Sequence, residues 1–142
     1  MNFDGLYDIR PGKEEDLSFI YATWLKGLYY GDSWFSRMPQ KVFMDHYKHV
    51  LTQILAVSAV RVACLPDDPD TIIGYSVASR DGTVLHWCHV KAGKKDISWR
   101  KHGVARSLIP PNPVYASHIN DLGLELLSKL GNTVFNPFSL KG

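Results

Sequence analysis

Two stretches in the second half of the chain decide the fold class: residues 84–91 read VLHWCHVK and residues 100–105 read RKHGVA. The first stretch is rich in β-branched and aromatic residues, which predicts a strand. The second follows a basic loop and predicts the start of a short helix near Gly103. A strand that leads through a polar loop into a helix indicates a sheet packed against helices.

Periodicity in the rest of the chain predicts further elements on both sides of these stretches. Apolar residues recur at helical spacing after Pro11-Gly12 and again from about residue 40, and the pattern becomes strand-like at 59. In chain order the predicted elements are a strand at 7–10, helices at 14–30 and 40–55, strands at 59–65, 71–79 and 84–91, a helix from 103, a strand at 114–118, a helix at 121–130 and a strand at 133–135. This order, β-α-α-β-β-β-α-β-α-β, predicts an α/β (α+β) fold with one mixed central sheet and helices on both faces.

Composition limits the classes to which the protein can belong. Its 142 residues are 45% hydrophobic and 21% charged, which predicts one globular domain spanning residues 1–142. The net charge of +2 supplies no global field for nucleic acid, so any bound anion must be held locally. No stretch approaches the ~18 consecutive apolar residues of a membrane span, and Cys64 and Cys88 show no pairing pattern. We therefore expect a cytoplasmic protein without a membrane or nucleic-acid partner.

Residues 100–105 combine features that suit an anionic ligand. Free N–H groups and the positive end of the dipole meet at the start of a helix, where they attract phosphate. Gly103 has no side chain to block the approach of such a group, and the nearby basic residues add positive charge. A tight turn with a solvated basic face accounts for the same residues equally well.

The spacing Arg100-x-x-Gly103-x-Ala105 resembles the Q/R-x-x-G-x-G/A acyl-CoA signature of the GNAT superfamily, the acyl-CoA-dependent N-acyltransferases. The predicted order of elements is similar to that fold nearly end to end, and the small size resembles members carried by bacterial viruses. The resemblance implies that acetyl-CoA binds between the diverging 84–91 and 114–118 strands. It implies pyrophosphate contacts from Arg100, Lys101, His102, Gly103, Val104 and Ala105, and pantetheine contacts from His89, Val90 and Asn120.

The chain departs from the family pattern at the expected general acid. The family often has a tyrosine in its last helix, but alignment on Gly131 places Leu127 there. The acid is therefore absent, replaced by water, or supplied by Tyr115 or His118. This departure keeps open a second interpretation, in which the fold serves as a CoA-binding or regulatory module with weak or no catalysis.

His86 is the candidate general base, because imidazole has the side-chain pKa closest to neutral pH. Strand alternation predicts that His86 and Cys88 face one side of the 84–91 strand, while Leu85, Trp87 and His89 face the other. A histidine that is hydrogen-bonded to a neighbouring strand is the alternative interpretation. The sequence offers no second ligand pair at zinc-like spacing, so we expect no metal.

The loop between the first two helices contains Asp32, Trp34 and Phe35. The resemblance implies that this loop lines the pocket for the acyl acceptor, with the Asp32 carboxylate holding a cationic amine. An aromatic helix–helix corner is the alternative. The expected reaction is N-acetylation by direct attack of a primary amine, carried by a small molecule or a peptide. Many members of the family are homodimers, so a homodimer is a further expectation.

Overall fold

The computed structural model describes residues 6–92, 103–119 and 131–142. It is an α+β fold with a six-stranded mixed sheet in the order β1-β2-β3-β4-β5-β6, which confirms the predicted fold class. The elements are β1 Asp8–Pro11, α1 Leu17–Gly31, α2 Gln40–Val57, β2 Ala59–Leu65, β3 Asp68–Ala78, β4 Val84–Val90, α3 Val104–Leu108, β5 Tyr115–Ala116 and β6 Val134–Phe135. Short 3-10 turns at Glu14–Asp16 and Phe35–Arg37 precede α1 and α2. The predicted helix at 121–130 lies outside the described residues.

The sheet has an antiparallel half and a parallel half. Strands β2 to β4 form an antiparallel meander and β1 pairs antiparallel with β2; we call these four strands the antiparallel half. Strands β4, β5 and β6 run parallel to one another and form the parallel half. In the parallel half β4 pairs with β5 only through Val84 and Leu85, so most of β4 extends beyond its partner.

Helices cover both faces of the sheet, as predicted. On one face α1 and α2 pack against alternate strand residues such as Tyr75 and Val77, and the Trp24 and Trp87 rings stack at 5.7 Å. On the other face α3 packs its buried side chains against Ile73 and Val90. Ile73 has the same parity as Tyr75 and Val77 but packs on the other face. The register with β2 shifts between the Ala63–Gly74 and Cys64–Ile72 pairs, so Ile73 is an additional residue that reverses the alternation of β3.

Strand β3 begins earlier than predicted. The sequence predicts this strand from residue 71, but the structure continues β3 back to Asp68, with Pro69 inside the strand. Pairing of β3 with β4 begins only at Gly74, so the missing N–H of Pro69 removes no bond to β4. The Pro69 carbonyl instead accepts hydrogen bonds from the Arg10 guanidinium at 3.0 and 3.2 Å.

A β-bulge at His86 changes which side chains of β4 share a face. Val77 pairs with Trp87 and Ala78 pairs with Leu85, so His86 is the additional residue. The predicted strict alternation is wrong here, because an inserted residue shifts the register by one. Leu85 accordingly packs in the same apolar cluster as Cys88, although alternation predicted opposite faces.

Among the described residues, no helix is long and apolar enough to cross a membrane.

Candidate active site

His86 lies fully buried beside the point where pairing between β4 and β5 ends. The last described main-chain bond between these segments runs from the Ser117 N–H to the Leu85 carbonyl, at 3.0 Å. Beyond it, side chains provide the connection: His86 Nδ1 lies 2.7 Å from Ser117 Oγ. The second ring nitrogen, Nε2, lies 2.7 Å from the main-chain carbonyl oxygen of Lys141.

The hydrogen-bonded groups continue from Ser117 to helix α2. Ser117 Oγ lies 2.8 Å from His118 Nδ1, and His118 Nε2 lies 2.6 Å from the Tyr47 hydroxyl. Five groups are thus joined end to end: the side chains of Tyr47, His118, Ser117 and His86, and the carbonyl of Lys141. We call this arrangement the polar row.

The chemistry of the polar row fixes the direction of every hydrogen bond when both histidines are neutral. The Lys141 carbonyl can only accept, so His86 carries its proton on Nε2 and its Nδ1 accepts from the Ser117 hydroxyl. Ser117 Oγ then accepts from His118 Nδ1–H, and His118 Nε2 accepts from the Tyr47 hydroxyl. Each group therefore donates toward the next one, from Tyr47 to Lys141.

The environment favours the uncharged form of each titratable group in the row. Burial lowers the pKa of His118 to about 3, with a further contribution from the nearby His86. Burial also lowers the pKa of His86, opposed by its hydrogen bond to the Lys141 carbonyl. The pKa of Tyr47 is raised to about 12, chiefly by burial and also by the negative charge of Asp32. Both histidines are therefore neutral at pH 7.

The loop before α2 brings Asp32 and two aromatic residues toward the Tyr47 end of the row. Asp32 Oδ1 accepts a hydrogen bond from the Trp34 N–H at 2.8 Å, and the Trp34 side chain is 67% exposed. The Phe35 ring packs against Phe43 and Tyr47, at 5.1 and 5.2 Å between centroids. Asp32 also contributes to the raised pKa of Tyr47, so its charge acts on that hydroxyl.

Among the described residues, neither Tyr115 nor Cys88 is hydrogen-bonded to the polar row. Tyr115 is at the beginning of β5, pairs with Val84 and Val134, and is 37% exposed. Burial raises the pKa of the Cys88 thiol to about 12, which leaves almost no thiolate at neutral pH. In the part of the chain that the structure describes, no three His, Cys, Asp or Glu side chains gather to hold a metal ion.

The residues that the resemblance assigned to acetyl-CoA are described only in part. His89 contacts both the Phe19 and Tyr75 rings, and Val90 packs in the core beneath α3. Gly103 adopts a left-handed conformation with φ of 72° immediately before α3, where Val104 is buried and Ala105 is half-buried. Four further residues of this set lie outside the described residues: Arg100, Lys101, His102 and Asn120.

Sequence reasoning missed three members of the polar row. Tyr47 follows the apolar spacing of α2, which indicates a packed core residue and no chemical role. The only indication for Ser117 in the sequence is its position next to the candidate His118 in a short predicted strand. The Lys141 contribution is a main-chain carbonyl, which no residue pattern reveals.

A comparison with solved structures finds a similar chain described as a possible acetyltransferase from Clostridium difficile 630. The TM-score is 0.46 and the identity 13%, over 92% of this chain and 79% of that chain. No family model and no curated protein matches the sequence.

Proposed function

We propose that the protein is an acyl-CoA-dependent N-acyltransferase that transfers an acetyl group from acetyl-CoA to a primary amine. The observation that carries the proposal is the polar row: two neutral histidines joined through Ser117 where pairing between β4 and β5 ends. The row ends on a neutral imidazole that can accept a proton passed along its hydrogen bonds, and the attack of an amine requires such an acceptor. The Arg100-x-x-Gly103-x-Ala105 spacing supports the same function from the sequence.

Acetyl-CoA would lie along the part of β4 that extends beyond β5, with its diphosphate toward the segment before α3. Gly103 fits this role because its φ of 72° suits glycine, and the missing side chain leaves the main chain accessible. When bound, acetyl-CoA supplies a thioester whose carbonyl carbon the amine attacks, and the departing thiolate takes up a proton from the amine. Arg100, Lys101 and His102 would add positive charge, while His89, Val90 and Asn120 would contact the pantetheine arm.

The amine would bind beside Asp32, between the loop before α2 and the Tyr47 end of the polar row. Asp32 Oδ1 is bound to the Trp34 N–H in the same loop whose Phe35 ring packs against Tyr47, which supports an amine site at this end of the row. The exposed Trp34 ring offers a face for a cation–π contact, and Phe35 supports the loop from beneath. Small amines and peptide amines are both compatible with this arrangement.

Binding of acetyl-CoA is tested by calorimetry on the full chain with two substitutions at one position. Gly103→Asn and Gly103→Asp introduce side chains of nearly the same shape, and both residues tolerate a left-handed conformation. We expect Gly103→Asn to retain most of the affinity and Gly103→Asp to weaken it roughly tenfold, because only the aspartate repels a diphosphate. Equal affinities of the two variants, or no heat from the wild type at millimolar acetyl-CoA, would contradict the proposed binding mode.

Activity is tested by release of free thiol from acetyl-CoA in the presence of a panel of primary amines. We expect amine-dependent release by the wild type and a loss of about 100-fold or more in His86→Ala, since general acid–base groups contribute on that order. Tyr115→Phe tests the remaining candidate acid. We expect only a small change in that variant, because His86 Nδ1 is bound to Ser117 and not to Tyr115.

A second candidate function is a CoA-binding or regulatory module without turnover. It is favoured by the engagement of both ring nitrogens of His86 within the protein, which leaves neither of them directed at a ligand. Binding of acetyl-CoA without thiol release across the amine panel would favour the module. Amine-dependent release that is lost in His86→Ala would favour the enzyme.

A further inference from the structure

We propose that the polar row is a proton relay whose receiving end is the Tyr47 hydroxyl and whose storage site is His86. The proposal rests on the proposed N-acyltransfer and deepens it, because it names the atom through which the amine loses its proton. Tyr47 thereby becomes the catalytic residue that contacts the acceptor, while His118, Ser117 and His86 act through it.

The two ends of the row differ in what they can accept. At the His86 end the final group is the Lys141 carbonyl, which has no proton to pass on and holds the Nε2 proton in place. At the other end the Tyr47 oxygen donates its only proton to His118 Nε2 and keeps a lone pair for a further donor. Tyr47 is half-buried, whereas His86 is fully enclosed. A proton from outside the row therefore has Tyr47 as its acceptor.

Transfer along the row conserves every hydrogen bond and every atom. An ammonium group gives one proton to Tyr47 Oη while the tyrosine proton moves to His118 Nε2. The Nδ1 proton of His118 moves to Ser117 Oγ, and the serine proton moves to His86 Nδ1. The result is a neutral amine and a His86 imidazolium that still donates through Nε2 to the Lys141 carbonyl. After the acylated product leaves, the proton returns along the same groups to Tyr47 and solvent.

Charged side chains lie at both ends of the row. Asp32 belongs to the loop whose Phe35 ring packs against Tyr47, and its carboxylate can hold the ammonium form of the amine before transfer. At the other end the Lys141 Nζ is paired with the Asp81 carboxylate at 2.6 Å, so its charge is balanced beside the site where His86 becomes positive. Trp24 flanks His118 edge to face, with centroids 5.4 Å apart, and adds no charge.

The tautomers of the two histidines test the row without any substrate. In the full chain with 15N-labelled imidazoles, nitrogen–proton correlation spectra at pH 7 should show His86 protonated at Nε2 and His118 protonated at Nδ1. Tyr47→Phe removes the donor to His118 Nε2 and should change the His118 signals while the His86 tautomer stays fixed by Lys141. The opposite tautomer at either histidine, or an imidazolium at pH 7, overturns the relay.

The relay also predicts a dependence on the charge of the amine that a structural role would not produce. With an alkylamine at pH 7, Tyr47→Phe and Ser117→Ala should each reduce kcat/KM by about 100-fold. With an arylamine, which is already neutral at pH 7, both losses should shrink to a few-fold. Tyr21→Phe is the matched control, because the Tyr21 hydroxyl forms a similar 2.7 Å hydrogen bond to Thr52 outside the row.

The outcomes separate the relay from the proposed function. Turnover by the wild type, with losses in Tyr47→Phe that are equal for alkyl- and arylamines, overturns the relay and leaves the N-acyltransferase standing. No turnover of any amine by the wild type overturns both. If Ser117→Ala fails to fold, Tyr47→Phe decides the question, since it removes one oxygen atom and keeps the aromatic ring that packs on Phe35 and Phe43.

Discussion

The antiparallel and parallel halves of the sheet satisfy their polar groups in different ways. In the antiparallel half, strands such as β2 and β3 pair along most of their length, and main-chain hydrogen bonds join them. In the parallel half β5 is two residues long, and the side chains of the polar row continue the connection where strand pairing ends. Side-chain groups can change their protonation state and main-chain amides cannot. The proposed proton relay therefore lies beside the half with the shorter strands.

The largest expected effect on stability lies at the ion pair that joins β1 to the beginning of α1. Asp16 accepts two hydrogen bonds from Arg10 at 2.8 Å and one from the Lys13 N–H, and its side chain is 4% exposed. Asp16→Asn should lower the free energy of unfolding by about 3 kcal/mol, because it leaves a partly buried guanidinium without its counter-charge. Denaturant titration of this variant measures the loss.

Asp45→Asn is the matched control for this ion pair. Asp45 forms an exposed pair with Lys41 one turn away on α2, at the same 2.8 Å distance. We expect no measurable loss in the control, since water screens an exposed pair. Equal losses of unfolding free energy in the two variants would show that burial of the Arg10–Asp16 pair adds nothing to stability.

The same substitution, valine to alanine, can be made in each half of the sheet to compare what each position contributes to stability. Val77 on β3 is fully buried in the core beneath α1, while Val134 on β6 is 57% exposed. Val77→Ala should cost about 2 kcal/mol of stability, because two buried methyl groups are lost and a cavity remains. Val134→Ala should stay within about 0.5 kcal/mol of the wild type. Comparable costs at the two positions would contradict the assignment of the stable core to the antiparallel half.

The core of the antiparallel half was predictable from sequence, but the polar row was predictable only in part. Periodicity locates α1, α2 and the first four strands, because those residues bury one face and follow a regular spacing. His86 and His118 could be named as candidates from residue type alone. Their connection depends on the bulge at His86 and on the parallel pairing of β4 with β5, which are long-range features that local pattern does not encode.

The pH dependence of stability should differ between the halves. His118 has a folded pKa of about 3, below the ordinary value of 6.5, so the unfolded chain binds more protons as pH falls below 6.5. Stability should therefore decrease from about pH 6.5 downward, by up to about 1.4 kcal/mol per pH unit for this group. The Asp16 pKa is lowered chiefly by Arg10, so its contribution is present above the unfolded value of 3.8 and is lost as pH falls further.

His118→Gln and Asp16→Asn separate these two pH ranges. The glutamine variant should show a flatter dependence of the unfolding free energy between pH 6.5 and 4.5, because it cannot titrate. In the Asp16→Asn variant, the unfolding free energy should depend on pH as in the wild type between pH 6.5 and 4.5. Its further decrease below pH 3.8 should be absent. Unfolding titrations at a series of pH values measure both slopes. An unchanged slope in His118→Gln above pH 4.5 would contradict a neutral, buried His118.

The smallest expected effect concerns the side chain of Lys141, whose main-chain carbonyl ends the polar row. Its Nζ pairs with Asp81 at 2.6 Å in an exposed position, so Lys141→Gln should change the melting temperature very little. The carbonyl that binds His86 Nε2 belongs to the backbone and is retained in the variant. We therefore expect an unchanged His86 tautomer in the imidazole nitrogen spectrum. A shifted His86 signal would instead show that the ion pair with Asp81 positions the carbonyl, and that a surface contact of the last residues controls the buried end of the row.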